Sequence, residues 1–364
     1  MLDFTLDEEQ RMLTDAIHRY AAERLRKTFR DADEAGKIPP EIVQAGWDIG
    51  VLPAAIPEQY GGFGDQYSAV TGALAAEELA WGDLSTALNV LAPGAVAIPV
   101  LLAGTDEQKE TYLPLFCGVS LPHLTAALVE PLIQFDPRGL KSTAVRNGDT
   151  YILNGSKCAV PLADTAETFL VYANENGQTQ AFFVPSGTDG LTVGERDRLM
   201  GLRALPTFGL TFADCHIPAA NKLGGEDGID FGRILNYSRV TLAAAAVGVA
   251  RAGSEYAREY AKQRVQFGEP IAHRQSIAFM LAEMAIEVDA ARTMVWEAAW
   301  LLDQGQDATR EVTVMKHFVD EMVVRVADQA LQTLGGYGYI REYPVELWLR
   351  NARGFASLEG LAIA

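Results

Sequence analysis

The stretch AVRNGDTYILNGSK, residues 144–157, decides the fold class. Asn147-Gly148-Asp149 separates two extended runs, and Asn154-Gly155 follows the second. Asn-Gly and Gly-Asp pairs favour the positive φ angles of tight hairpin turns, so the spacing predicts strands rather than a helix. TFLVYANENGQTQAFFVP (168–185) repeats the pattern around Asn176-Gly177, and FGLTFADCHIP (208–218) alternates as a further strand.

On both sides of this block the period changes to that of a helix. TLDEEQRMLTDAIHRYAAERL (5–25) places Met12, Ile17, Tyr20 and Ala21 on one face, and Thr5 with Glu8 has the spacing of a capping box. The Pro/Gly-rich break AAIPEQYGGFGDQ (54–66) leads into AVTGALAAEELAW (69–81), again helical. Beyond residue 229 helical periodicity persists through residues 239–264, 275–304 and 312–336. Helical, then β, then helical predicts an α+β fold with segregated elements: residues 1–118 helical, 119–226 a barrel or sandwich of antiparallel strands, and 227–364 helical.

Composition narrows the function. Lys and Arg number 30 against 48 Asp and Glu, a net charge of −18, which disfavours nucleic acid and anionic membrane because both are polyanions. Cys117, Cys158 and Cys215 have no CxxC spacing, and the five histidines (His18, His123, His216, His273, His317) lack ligand spacing, so neither a disulfide framework nor a metal is expected. The acidic start MLDFTLDEEQ does not resemble a signal peptide. The apolar run ALNVLAPGAVAIPVLLAG (87–104) carries two prolines and two glycines and reads as paired buried segments rather than a span. These features lead to the expectation of a soluble, cytoplasmic protein without membrane insertion.

Nucleotide-loop, zinc-protease and serine-hydrolase motifs are absent from the sequence. RVQFGEPIAHRQ (264–275) is either a plain helix–helix connection or a site where Arg264, Phe267 and Gln275 converge on a phosphate-and-ring ligand; the planar fork of arginine suits a phosphate. In QTLGGYGY (332–339) the paired glycines either end a helix or let backbone approach a ligand. In NARGFASLEGLAIA (351–364) Glu359 sits among apolar residues. It is either a charge on a fraying last turn or a desolvated general base.

The chain resembles the acyl-CoA dehydrogenases from DEEQ (7–10) to its last residue. PEQYGG (57–62), GTDEQKETYLPL (104–115), NGSK (154–157), IPAANKLG (217–224), RVQFGEPIAHRQ and QTLGGYGYIREYPVELWLRNAR (332–353) all fall in family order and spacing. The resemblance implies a C-terminal four-helix bundle, FAD, an acyl-CoA substrate and α,β-dehydrogenation. In that reaction a carboxylate takes the α-proton, hydride passes to the flavin, and the electrons leave to an electron-transfer flavoprotein. Arg350-Asn351-Ala352 followed by Leu358-Glu359-Gly360-Leu361 puts Glu359 at the family's base position. Another branch carries the base just before an arginine; here Ser238 precedes Arg239. Asn236 and Arg239 would lie on the substrate side.

The departures from the family are one-sided. Val129, Phe135, Ala159, Pro161 and Leu361 replace residues that hold or stack on the flavin ring and its pyrophosphate. Arg264, Phe267, Gln275, Gln332, Gly335 and Gly336, which the family lends to the adenosine half of a neighbour's cofactor, are retained. The resemblance therefore implies a tetramer, either a divergent homotetramer or a heterotetramer in which this chain supplies an adenosine-binding surface. A non-catalytic subunit and a flavin oxidase of the same fold are the other readings. Ala243 to Ala246 do not fix the acyl specificity.

Overall fold

The computed structural model describes residues 5–364, so residues 1–4 of the expected first domain lie outside the described residues. Helices α1 (Glu8–Tyr20) and α2 (Arg26–Ala35) are joined through one π-helical turn, Ala21–Leu25. Asp7, not Thr5, caps α1: its carboxylate accepts from the Gln10 N–H at 2.8 Å, and Asp7 N–H donates back to the Gln10 side chain at 3.2 Å. The same reciprocal pair forms two residues later than expected. Ile17, Tyr20 and Ala21 are buried, but Met12 is 66% exposed and Leu13 packs inward instead.

Next come α3 (Pro40–Trp47), α4 (Val51–Ala54), α5 (Ala69–Gly82), α6 (Leu84–Leu91), α7 (Gly94–Ala103) and α8 (Asp106–Tyr112). Residues 84–103 are apolar and long enough to cross a membrane by composition. Here they break at Ala92-Pro93 into α6 and α7, and 83% of their most apolar window is buried within the protein.

The middle of the chain forms one seven-stranded sheet: β1 (Leu124–Ala127), β2 (Thr143–Asn147), β3 (Thr150–Pro161), β4 (Thr168–Glu175), β5 (Gln178–Pro185), β6 (Leu191–Arg196) and β7 (Thr207–Pro218). Gly148 (φ +62°) turns β2 into β3, and Asn176 and Gly177 (φ +53° and +87°) turn β4 into β5. Asn154-Gly155, expected to be a turn, lies inside β3 at a bulge against β7. Gly155 is required there because a Cβ would sit 2.4 Å from Ser142 Oγ. The sheet is not purely antiparallel: β1 pairs with β4 in parallel, and β2 touches β4 in parallel at Thr143 and Asn174.

Strands β4 and β5 are buried on both faces. Phe169, Val171 and Ala173 point into the curl of the sheet, whereas Leu170 and Tyr172 join the core of the helical regions. The C-terminal part has three long helices and one short one: α9 (Phe231–Gln263), α10 (Gln275–Asp303), α11 (Thr309–Leu334) and α12 (Val345–Ala352). A two-stranded hairpin, β8 (Val265–Gln266) with β9 (Glu269–Pro270), links α9 to α10. Helices α5 and α9 meet backbone to backbone at Gly248, where a Cβ would lie 2.2 Å from Glu77 O. The N- and C-terminal helices therefore share one core.

Candidate active site

One turn of α9 organises the site. Arg239 projects from it to Glu359: Nη2 donates to Oε1 at 2.7 Å, and Nε donates to Oε1 at 3.0 Å and Oε2 at 3.3 Å. Their side chains are 14% and 10% exposed. Of the two readings of Glu359, the frayed last turn is not what is found: Leu358, Glu359, Leu361, Ala362, Ile363 and Ala364 are all buried. Glu359 is thus desolvated, as a base requires, yet compensated by a fork-like arginine. Oε2, with the single longest contact, is its least engaged atom.

Residues flanking Arg239 fix the segment that carries Glu359. Ser238 Oγ accepts from the Gly360 N–H at 3.1 Å, and Thr241 Oγ1 accepts from the Ala364 N–H at 3.2 Å. Gly360 adopts φ +64°, which turns the chain immediately after the carboxylate. Asn236 is buried, donates to Thr309 Oγ1 at 3.1 Å, and keeps an unpaired carbonyl oxygen.

Sequence reasoning missed a second ion pair. Lys316 on α11 donates to Asp320 Oδ2 at 2.5 Å and to Phe355 O at 3.1 Å. Burial pushes the Asp320 carboxyl up, Lys316 opposes the shift, and the charge of Glu359 adds to it. Two carboxylates thus share the site with two cations. The i, i+4 spacing of Lys316 and Asp320 was the available signal.

The candidate adenosine contacts divide. Arg264, Gln332, Gly335 and Gly336 line one open cavity of about 420 Å³ with Tyr260 and Tyr337. Arg264 lies 5.0 Å over the Tyr337 ring. A Cβ at Gly335 or Gly336 would meet no atom within 4 Å, so bare backbone faces open space there. Neither Phe267 (φ +53°, 91% exposed), in the β8–β9 turn, nor Gln275, the exposed first residue of α10, lines that cavity.

The opposite end, where the family would seat the flavin ring, is self-satisfied. The amine of Lys157, wholly buried, donates to Glu130 Oε1 at 2.9 Å and Leu128 O at 3.1 Å. Burial pushes this amine down to about 8. Glu130 also accepts from the N–H groups of Lys141 and Ser142 at 2.7 and 2.8 Å. Cys158 N–H is bonded to Val129 O, and Ala159 sits at φ +53°. A Cβ on Gly360 would lie 2.9 Å from Leu128 Cδ2, so these segments are in direct contact. The adenosine half therefore fits FAD, whereas the ring half has no side-chain hydroxyl at Val129, Pro161 or Leu361 and no aromatic at Ala159.

Family models for acyl-CoA dehydrogenase match the chain in three parts: the N-terminal domain over residues 7–119, the middle domain over 125–215 and the C-terminal domain over 230–362. The chain is 37% identical over 379 residues to a probable acyl-CoA dehydrogenase, YngJ, of Bacillus subtilis, covering 100% of this chain and 99% of that protein. It is 34% identical to a caffeyl-CoA reductase–Etf complex subunit, CarC, of Acetobacterium woodii, covering 97% and 95%. The structure of butyryl-CoA dehydrogenase from Megasphaera elsdenii superposes with a TM-score of 0.88 at 34% identity, covering 97% and 95%.

Proposed function

The chain belongs to the acyl-CoA dehydrogenase family, and from that membership we propose that it takes part in α,β-dehydrogenation of an acyl-CoA thioester with Glu359 as the base. FAD is the cofactor of these oxidoreductases and, when bound, accepts the hydride lost from the β-carbon. The observation that carries the reading is the buried Glu359 carboxylate held by Arg239 on a fixed turn of α9. An α-proton next to a thioester is weakly acidic, so the accepting carboxylate must be shielded from water and fixed in direction. Arg239 fixes the direction through Oε1 and leaves Oε2 as the atom to receive the proton. Once Glu359 is protonated, Arg239 keeps a hydrogen bond to the neutral group, while Lys316 holds the neighbouring Asp320. Likeness to an Etf-complex subunit supports an electron-transfer flavoprotein as the electron acceptor.

Replacing Glu359 with Gln, which keeps size and hydrogen-bonding capacity but not basicity, should lower turnover of the assembled enzyme at least ~100-fold. Unchanged turnover would refute the assignment.

A second reading is favoured by the asymmetry of the cofactor residues. The adenosine-side cavity is open and lined by retained residues, whereas on the ring side Val129, Ala159, Pro161 and Leu361 supply neither a hydroxyl nor an aromatic ring. This supports a subunit of a heterotetramer that lends its adenosine-binding surface to a partner chain. Purification of the chain alone, followed by an absorbance scan, distinguishes the two. Stoichiometric FAD in a homotetramer excludes the second reading; flavin acquired only with a partner chain favours it.

A further inference from the structure

The segment that follows Glu359 is irregular backbone inserted into the helical core. Leu361 to Ala364 form no helix or strand, yet their exposures are only 4, 0, 2 and 3%. Beyond the Thr241 bond to Ala364 N–H, the Tyr67 hydroxyl donates to Ala364 O at 2.5 Å. Two helices leave space for the segment's carbonyls. A Cβ on Gly72 of α5 would lie 2.1 Å from Ala364 O, and one on Gly94 of α7 would lie 1.8 Å from Ile363 O. Glycine inside a helix such as α5 is disfavoured relative to alanine, and here it makes room for backbone.

This slot begins at the base. Ser238, Arg239 and Thr241 on one turn of α9 hold Gly360, Glu359 and Ala364 respectively. The slot therefore runs from the carboxylate between α5, α7 and α9, past Leu52 near Gly94. An acyl group whose α-carbon meets Glu359 would send its remaining carbons into the apolar space beside the carboxylate, and Leu361–Ala364 fill this direction. We propose that these four residues set the upper limit on the acyl group: a short chain stops before them, and a longer one must displace them. The inference rests on Glu359 marking the reacting carbon.

The test is calorimetric binding of CoA, butyryl-CoA and octanoyl-CoA to the chain in the assembly that binds acyl-CoA. Each buried methylene is worth roughly fourfold in affinity, so four more would add about 200-fold in an empty slot. In the wild type the segment should cancel that gain, leaving octanoyl-CoA no tighter than butyryl-CoA. Ile363→Asp, which expels the segment without filling the slot, should tighten octanoyl-CoA by ~10- to 200-fold and butyryl-CoA by less than ~2-fold. A Thr241→Cys/Ala364→Cys pair should lock the segment and hold octanoyl-CoA weak until the disulfide is reduced. The lock also decides the matter if Ile363→Asp does not fold. An octanoyl-to-butyryl affinity ratio unaffected by release or locking overturns the proposal. If butyryl-CoA binds no better than CoA, the acyl-CoA reading fails and this proposal falls with it.

Discussion

Replacing Arg239 with Met should be among the most costly single changes in the site. The guanidinium and the Glu359 carboxylate make three contacts of 2.7, 3.0 and 3.3 Å with side chains only 14% and 10% exposed. At a charge separation near 4 Å and an effective dielectric of ~20, their attraction is about 4 kcal/mol, opposed by the cost of dehydrating both ions. Methionine removes the attraction and leaves a buried carboxylate without a counterion, which costs about 3–5 kcal/mol. An unfolding entropy of ~2.1 cal/mol/K per residue over 364 residues gives roughly 0.76 kcal/mol/K if the chain unfolds as one unit. The melting temperature should therefore fall by about 4–7 °C. The double variant Arg239→Met/Glu359→Gln removes both charges and should recover at least half of that loss. Calorimetry of the four proteins checks it. A single variant within ~1 °C of wild type, or a double variant as low as the sum of the two singles, would refute the buried-pair reasoning.

Other outcomes follow from the same physics. Gly248→Ala inserts a methyl where Glu77 O would be 2.2 Å away, so α5 and α9 must separate; a loss of about 1–3 kcal/mol by urea titration is expected. Lys157→Met leaves Glu130 with its two backbone donors but no counterion inside the β-domain, and should cost about 3 kcal/mol, checked by the same titration. Burial pushes the Glu346 carboxyl up, but hydrogen bonds from Arg350 and Arg30 outweigh it and hold the group below its usual value. A carboxyl lowered on folding contributes stability above its unfolded value of ~4.3 that is lost as pH falls through the lower folded one. Glu346→Gln should therefore flatten the loss of melting temperature below pH ~4, and an acid limb identical to wild type would count against this pair.

What was legible in the sequence was local. Gly148 and Asn176-Gly177 announce their turns because the required φ angles exclude most side chains, whatever the rest of the chain does. Asn154-Gly155 carries the same signal for a different reason: its glycine clears Ser142, the residue just before the neighbouring strand β2. That contact depends on pairing across the sheet, so the dipeptide cannot tell a turn from a bulge. The parallel pairing of β1 with β4 is likewise invisible, because alternation reports which face is buried and not which strand lies alongside. Met12 failed for a related reason. The helical period placed it on a face, but the partner helices cover only the part of that face holding Ile17, Tyr20 and Leu13.

The site shows the same division more sharply. Glu359 could be singled out because a carboxylate in an apolar run needs an explanation, and the structure supplies one in Arg239, 120 residues away in the chain. Arg264, Phe267 and Gln275 are close in sequence, yet only Arg264 joins Gln332 and the two glycines in the cavity. Phe267, 91% exposed at a positive φ, has the Arg274 guanidinium 5.6 Å over its ring and does not join the cavity. Lys157 and Glu130 are two charges removed from water that pair with one another and with the backbone. Arg264 with its two glycines and Lys157 with Glu130 form separate clusters, so the proposed nucleotide-binding and ring-binding roles can be separated by mutation.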